Sequence, residues 1–566
     1  MPKASPELRF DRFYRYAELT DHLKGFAARR ADLFAVESIG KSHEGRDIWV
    51  VVATNTATGP AADKPAFWLD GNIHAAELTA STACLYILKT LEEQHGKRED
   101  VTRLLDTRAF YICPRINPDG AEWALADKPK YIRSSTRPYP FDEDPVDGLN
   151  VEDVDGDGRI LSMRIPDPNG AYKEHPSDPR LLTARDPAES GGRYWRVVPE
   201  GTLVNYDGID IRVNRDKEGL DLNRNFPVDW RQEYKQFGAG PYPTSEPEVR
   251  AVVDFIAKHA NIGGGVSFHT HSGVILRPFS TQADDEMHAE DLWLYKLFGK
   301  RATELTGYPN ISIFHDFKYH PKQVITGAFD WLYEHQGAFF WTVEIWAPVK
   351  EAGVENYHFI DWYREHPPED DLKLLAWSDK ELNGEGYIAW YPFNHPQLGA
   401  VELGGWNKLA TFRNPPAKYI EREVKRFPEW IIWQALTLPR LELHSVSAES
   451  LGGDAWRVRF AVQNSGYLPS YVSKRALERK IARGVIYEIA LPKGASLVGG
   501  KPRVEGAQLE GRANKVSLQA FLPDLHVTAD RGQVEWTVRA PKGAVLELVA
   551  RHDRAGRVAA SVVLGG

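Results

Sequence analysis

His74 and Glu77 stand three residues apart in Trp68-Leu69-Asp70-Gly71-Asn72-Ile73-His74-Ala75-Ala76-Glu77. An imidazole and a carboxylate at that spacing can converge on one metal ion. They are two of the three protein ligands that a catalytic zinc requires, with water in the fourth position. The bland alternative is a chance His-x-x-Glu in which Glu77 only favours the N-terminus of a helix. His269, in Ser267-Phe268-His269-Thr270-His271-Ser272, is a candidate third ligand, against the alternative of a structural histidine. Glu344 is the lone charge in Phe339-Phe340-Trp341-Thr342-Val343-Glu344-Ile345-Trp346, where an acid is costly unless paired, hydrogen-bonded or at work. The stretch Asp221-Leu222-Asn223-Arg224-Asn225-Phe226 reads either as a solvated loop with an Asx turn or as an asparagine and an arginine placed to hold a carboxylate.

Positioning these groups calls for strands that end at a common edge. Pro65 to Leu69 is an apolar run that reads as a buried strand; Gly71 and Asn72 break it, and Leu78, Leu85, Leu88 and Leu91 then recur at helical spacing. His74 therefore falls in the loop leaving a strand and Glu77 at the first turn of a helix. Leu19, Leu23, Phe26 and Ala27 mark a surface helix over 18–30. Strands are expected at Ile48 to Val52, Ala109 to Cys113, Gly264 to Phe268 and Ala338 to Ile345. Helices are expected from a capping box at Ser245-Glu246-Pro247-Glu248, over Asp291 to Leu305, and over Gly327 to His335. Strands alternating with amphipathic helices predict an α/β domain with a largely buried mixed sheet. Such sheets present ligands at the carboxyl ends of their strands, so His269 and the His74 loop can share one crevice.

The 566 residues exceed one core's worth, and the texture changes near residue 380. The expected organisation is a domain over 1–380 with a long insertion at about 127–219, a linker and connecting helix over 381–440 opened by Asn383-Gly384-Glu385-Gly386, and a third part over 441–566. There, short alternating segments such as Trp456 to Val462 and Val534 to Val538 suit an all-β sandwich of immunoglobulin-like kind.

With 42% hydrophobic and 26% charged residues, the chain has the composition of a soluble globular protein. A net charge of −9 gives no electrostatic reason to expect nucleic acid or an anionic membrane as partner. Two cysteines, Cys84 and Cys113, exclude a disulfide framework and read as small core residues. No signal-peptide core and no run of 18 apolar residues occurs, so a cytoplasmic location is expected.

Taken in order, His74-x-x-Glu77, Asn117-Pro118-Asp119-Gly120, Asn223-Arg224, His269 and Glu344 resemble the zinc carboxypeptidases of the carboxypeptidase A type, over roughly residues 10 to 375. The resemblance implies one zinc per chain held by His74, Glu77 and His269, the His₂Glu set of carboxypeptidase A. It implies that Asp221 orients the first histidine and that Arg133, in Tyr131-Ile132-Arg133-Ser134, stabilises the oxyanion. Asn223 and Arg224 would grip the substrate's terminal carboxylate, and Glu344 would be the general base. The implied activity is hydrolysis of the C-terminal bond of a peptide with a free carboxylate. Two other readings are a zinc amidohydrolase acting on cell-wall peptides or N-acyl amino acids, and a non-catalytic zinc-binding interaction protein. Glu344 and Arg133 argue against the last, since a binding module has no use for a buried base.

The match has departures. Ala76 stands where the family has an arginine, and no tyrosine sits at the lid position: a gapless count back from Gly327-Ala328-Phe329-Asp330-Trp331 lands on Lys322, and Tyr319 needs a three-residue shift. The same count puts Phe329 at the base of the side-chain pocket, which would favour apolar or small C-terminal residues. His271 is expected to line the pocket, because a fourth protein ligand would close the metal site. Asp153-Val154-Asp155-Gly156-Asp157-Gly158-Arg159-Ile160 resembles the first eight positions of a calcium loop, making Asp153, Asp155 and Asp157 candidate calcium ligands. Position twelve is Arg164, however, and a solvated acidic turn is the alternative.

Overall fold

The structure, a computed structural model, describes residues 7–143, 147–318, 320, 322–513 and 526–565. An eight-stranded mixed sheet forms its centre. From one edge to the other the strands are Phe34–Lys41, Asp47–Ala53, Ala109–Cys113, Ala66–Gly71, Ile262–Thr270, Phe339–Ile345, Val274–Arg277 and Asn310–Ser312. The inner strands Ala109–Cys113, Ala66–Gly71, Ile262–Thr270 and Phe339–Ile345 run parallel, so their carboxyl ends open at one edge. They are buried on both faces, which is why they read as apolar runs. Alternation divides them: Phe67, Leu69, Val266, Phe268, Trp341 and Val343 join one core, while Ala66, Trp68, Tyr111 and Phe340 join another across the sheet. The helix Leu78–Gln94 lies close over the strand that precedes it. Gly71 permits this, since a Cβ there would sit 2.7 Å from the Ala80 carbonyl oxygen.

The expected capping box is not formed. The helix Pro247–Lys258 is capped by Glu246 without a side-chain cap bond; Ser245 Oγ donates to Glu246 instead, and Glu248 accepts from the His43 N–H. Placing proline at the first helical position shifts the helix start by one residue and puts the serine outside it.

The stretch 381–440, expected as a linker and a connecting helix, is built of regular elements. Asn383, at φ +51°, is the left-handed C-cap of the helix Pro368–Leu382, and the hairpin Tyr387–His395 and Gly399–Trp406 follows at once. That hairpin joins strands of the insertion, Ser162–Pro166, Trp195–Pro199, Tyr172–Glu174 and Leu182–Ala184, in a six-stranded sheet. Two helices, Ala417–Val424 and Pro428–Leu436, then bury Val424, Phe427, Trp430 and Ile431 in the core under the central sheet. Beyond residue 440, two four-stranded sheets share one apolar core that includes Trp456, Phe460, Trp536 and Leu548. Among the described residues no helix is long and apolar enough to cross a membrane. Cys84 and Cys113 are buried and free.

Candidate active site

The carboxyl end of the strand Ile262–Thr270 and the loop after its parallel neighbour Ala66–Gly71 bring His74, Glu77 and His269 together. His269 Nδ1 lies 3.1 Å from His74 Nδ1 and 3.0 Å from Glu77 Oε2, and His74 Nδ1 lies 3.0 Å from Glu77 Oε1. All three residues are buried. The outer nitrogens settle the tautomers. His74 Nε2 is 3.3 Å from Asp221 Oδ1, an acceptor, so the ring hydrogen sits there. His269 Nε2 is 3.2 Å from Ser267 Oγ, whose own hydrogen goes to Asp70 Oδ1, so Ser267 accepts from the ring. Both Nδ1 atoms therefore turn lone pairs toward each other and toward a carboxylate. A converging donor set with no hydrogen inside it fits a divalent cation, and separations near 3 Å suit donors bonded to one ion at about 2 Å. His271 is not a member of this cluster; it lines the adjoining cleft, where its Nδ1 is buried with no hydrogen-bond partner among the described residues.

Asp221 supports the cluster from behind. Besides facing His74, it accepts the Asn223 N–H at 2.9 Å and Arg133 Nε at 3.0 Å. Burial opposes its charge, yet Arg133, Arg224 and His74 keep its carboxyl well below the carboxylate range. The His269 side rests on Ser267 and Asp70, with Trp68 Nε1 donating to Asp70 Oδ2 at 2.6 Å. Sequence reasoning missed this second support. Its signal was the register: Ser267 pairs with Asp70 across parallel strands, and both point to the same face as His269.

In front of the cluster is a cleft of 730 Å³ lined by Arg133, Asn223, Arg224, Phe329 and Glu344 together with the three donors. Glu344 lies opposite His269 in the register of neighbouring parallel strands. Its carboxylate has no hydrogen-bond partner among the described residues. Burial pushes it up to about 7, against the pull of His269 and with the push of Glu77. Asn223 Oδ1 accepts the Ala328 N–H at 3.0 Å, and Arg224 Nη1 donates to the Asn223 carbonyl oxygen at 2.7 Å. Lys322 lines the cleft; Tyr319 lies outside the described residues.

The family model described as zinc carboxypeptidase matches residues 19–151 and 188–363, more than half of the chain. The chain belongs to the zinc carboxypeptidase family. The interruption in the match falls within the insertion, and a second model, a domain of unknown function (DUF8731), covers residues 440–563. Among zinc carboxypeptidase relatives, carboxypeptidase B2 of Rattus norvegicus is 24% identical over 356 residues, 61% of this chain and 65% of that one. Carboxypeptidase B of Astacus astacus is 31% identical over 273 residues, 48% of this chain and 66% of that one. The chain thus spans less than two thirds of the length of these curated relatives. A crystal structure of thrombin activatable fibrinolysis inhibitor aligns at 17% identity, covering 76% of each chain with a TM-score of 0.44.

The acidic loop departs from expectation. Oxygens of Asp153, Asp155 and Glu200, not Asp157, come within 4.8 Å of one another, while Asp157 pairs with Arg159. Asp153 accepts the N–H groups of Gly156 and Gly158, and Glu200 those of Val154 and Leu161. Arg164, at position twelve, is sandwiched between Trp195 and Trp390 at 4.2 and 4.8 Å. The other residue sequence reasoning missed is Arg413, which lines the cleft from beyond the stretch matched by the family model.

Proposed function

We propose that this protein is a zinc-dependent metallocarboxypeptidase that releases C-terminal residues from peptides. The observation that carries the proposal is the unpartnered Glu344 carboxylate in the same cleft as the His74, Glu77 and His269 donors. Glu344 is only half-buried, its carboxylate facing the cleft with no protein partner among the described residues, and an acid in an otherwise apolar strand beside a cation-ready cluster is accounted for by chemistry. His74, Glu77 and His269 would hold the zinc. When bound, the ion supplies Lewis acidity, polarising the scissile carbonyl and lowering the pKa of water toward about 7.

The chain's own groups account for the rest. Glu344 takes a proton from the attacking water and passes it to the leaving amine as the C–N bond breaks. Arg133 donates to the oxygen on which negative charge develops. Arg224, with Asn223, holds the terminal carboxylate, which restricts cleavage to chain ends. Phe329 in the cleft wall favours an apolar or small C-terminal side chain. We read the C-terminal pair of sheets as an immunoglobulin-like sandwich, in keeping with two antiparallel sheets closing on one core. Calcium has no part in this proposal.

The test is mass-spectrometric mapping of products from a peptide library, using the zinc-loaded full chain and Glu344→Gln. Release of single C-terminal residues by the wild type and none by the variant is expected, with Phe or Leu ends preferred over Lys or Glu. Equal inertness of both proteins on a broad panel would refute the proposal.

A further inference from the structure

A second cavity, of 430 Å³, opens off the metal-binding cluster. It shares His74, Glu77, Arg133 and Arg413 with the main cleft, but none of Asn223, Arg224 or Phe329 lines it. Its walls are largely apolar, from Tyr131, Ile132, Leu409 and Phe412. With a peptide's terminal carboxylate at Arg224 and its scissile carbonyl at the cluster, the preceding residue leaves on the side of this second cavity.

Arg413 stands where the two cavities join. It ends Lys408–Arg413, one turn of π-helix, a local irregularity that recurs at functional sites. The turn is fastened to the metal loop by the next residue. Buried Asn414 accepts the N–H and Oγ–H of Thr79 at 3.0 and 2.9 Å and donates to the Ala76 carbonyl oxygen at 2.8 Å. Trp346 Nε1 holds the turn from below through the Thr411 carbonyl oxygen at 2.7 Å. As a result Arg413 Nη1 lies 3.4 Å from both Glu77 Oε1 and the Thr270 carbonyl oxygen. Both contacts are long, and Nε and Nη2 have no hydrogen-bond partner among the described residues. The side chain is 40% exposed.

A purely structural role would be to neutralise Glu77. That carboxylate already accepts the Thr270 N–H at 3.2 Å, and a cation in the cluster would leave it no need of further charge. A guanidinium with spare donors at the mouth of an apolar-walled cavity instead suits a carboxylate carried on a short methylene stem. Residues 408–414 lie outside the stretches matched by the zinc carboxypeptidase model, and Ala76, to which they are tied, leaves the space open.

We infer that Arg413 is a specificity-determining residue that holds a carboxylate on the residue just before the scissile bond, so that the enzyme prefers an acidic penultimate residue. This rests on the proposed carboxypeptidase function. The carboxylate can be the side chain of an α-linked glutamate or the free α-carboxyl of a γ-linked one.

The zinc-loaded full chain should be assayed on acetyl-Glu-Phe, acetyl-Gln-Phe and acetyl-γ-Glu-Phe. A roughly tenfold advantage in kcat/KM of Glu over Gln is expected from one partly exposed charge-assisted contact. Arg413→Ala should bring that ratio to about one, Arg413→Lys should keep most of it, and Arg413→Glu should invert it. An Arg413-dependent preference for the γ-linked peptide over the α-linked one would assign the group to the free α-carboxyl; the reverse order would assign it to the side chain. A wild-type ratio near one, or a preference that survives Arg413→Ala, would overturn the inference. Calorimetric binding of the same peptides to Glu344→Gln, with and without Arg413→Ala, separates the two levels. Arg413-dependent tighter binding of the Glu peptide without any turnover in the wild type would sink the enzyme proposal and keep the subsite. Turnover with no Glu preference in rate or binding would do the opposite.

Discussion

Replacing Arg224 by glutamine separates recognition of a chain end from the integrity of the metal site. Arg224 Nη1 spends one bond on the Asn223 carbonyl oxygen, and its Nε is 3.9 Å from Asp221. Asp221 would still hold Arg133 at 3.0 Å, His74 at 3.3 Å and the Asn223 N–H at 2.9 Å. The support behind His74 should therefore survive Arg224→Gln, and zinc content with it. What disappears is the charge facing the substrate's terminal carboxylate. A hydrogen bond to a charged group is worth about 1.5–3 kcal/mol, and a two-pronged contact roughly 3–4 kcal/mol. At about 1.4 kcal/mol per factor of ten, kcat/KM on an acyl dipeptide should fall about 10²–10³-fold. The C-terminal amide of the same dipeptide offers no carboxylate and should lose less than about threefold. Hydrolysis of the acid and amide followed by chromatography, alongside metal analysis, measures both. Equal losses on the two substrates would mean that Arg224 serves the fold or the metal site, and no loss on the acid would mean that the carboxylate lies elsewhere.

Three further outcomes follow from the site and its surroundings. Glu344→Gln should retain about one zinc per chain while kcat drops by about 10³ or more, since one group both takes and returns the proton; chelation should abolish the wild-type rate, and readdition of zinc should restore it. Ser267→Ala removes the acceptor for His269 Nε2 and should weaken zinc binding roughly 10–100-fold, read by competition with a chelator of known affinity; unchanged affinity would show that the Ser267–Asp70 support is dispensable. Glu248 tests the fold rather than the chemistry. Burial pushes its carboxyl from 4.5 up to about 7, so the folded state holds this proton more tightly than the unfolded chain, and the associated stability is complete below about pH 4.5 and lost as the pH rises through 7. Glu248→Gln keeps an acceptor for the His43 N–H and removes the charge. Its urea stability should exceed that of the wild type by about 2–3 kcal/mol near pH 8 and by nothing near pH 4, whereas parallel pH profiles would refute the assignment.

The residues readable from sequence are those whose neighbours in the chain decide their placement. His269 and Glu344 interrupt apolar runs, and a polar group at the end of a buried parallel strand has few places to go. His74 and Glu77 are set by the strand end at Gly71 and the helix start at Leu78 in the same motif. Asn383 and Gly384 were legible for a local reason too: an asparagine at φ +51° ends the helix Pro368–Leu382, and four irregular residues lead from it to the strand at Tyr387. Arg413 could not be found this way. It is brought to Glu77 across 336 positions by Asn414 bonding to Thr79 and Ala76, and neither partner carries a local signal. Glu200 near Asp153 and Asp155 was equally out of reach of sequence reading, because it is brought to the loop by the strand pairing of Gly201–Val204 with Gly148–Val151.

Those long-range ties bear on what the catalytic unit is. The zinc carboxypeptidase match ends at residue 363, yet the cleft is lined by Arg413, and the helices after it bury Phe427, Trp430 and Ile431 completely in the core beneath the central sheet. Large apolar side chains of this kind each contribute about 1.5–3 kcal/mol when removed from water, so three of them weigh as much as a typical domain's net stability. The strands carrying His269 and Glu344 have Val266, Phe268 and Trp341 on that same core face, with Trp341 and Trp430 rings 6.2 Å apart. The face opposite these aromatics is the one bearing the donors and the acid. Packing from residues 417–436 therefore holds flat the very strands whose register sets His269 against Glu344, and the segment that looks like a connection between two units is a structural wall of the first.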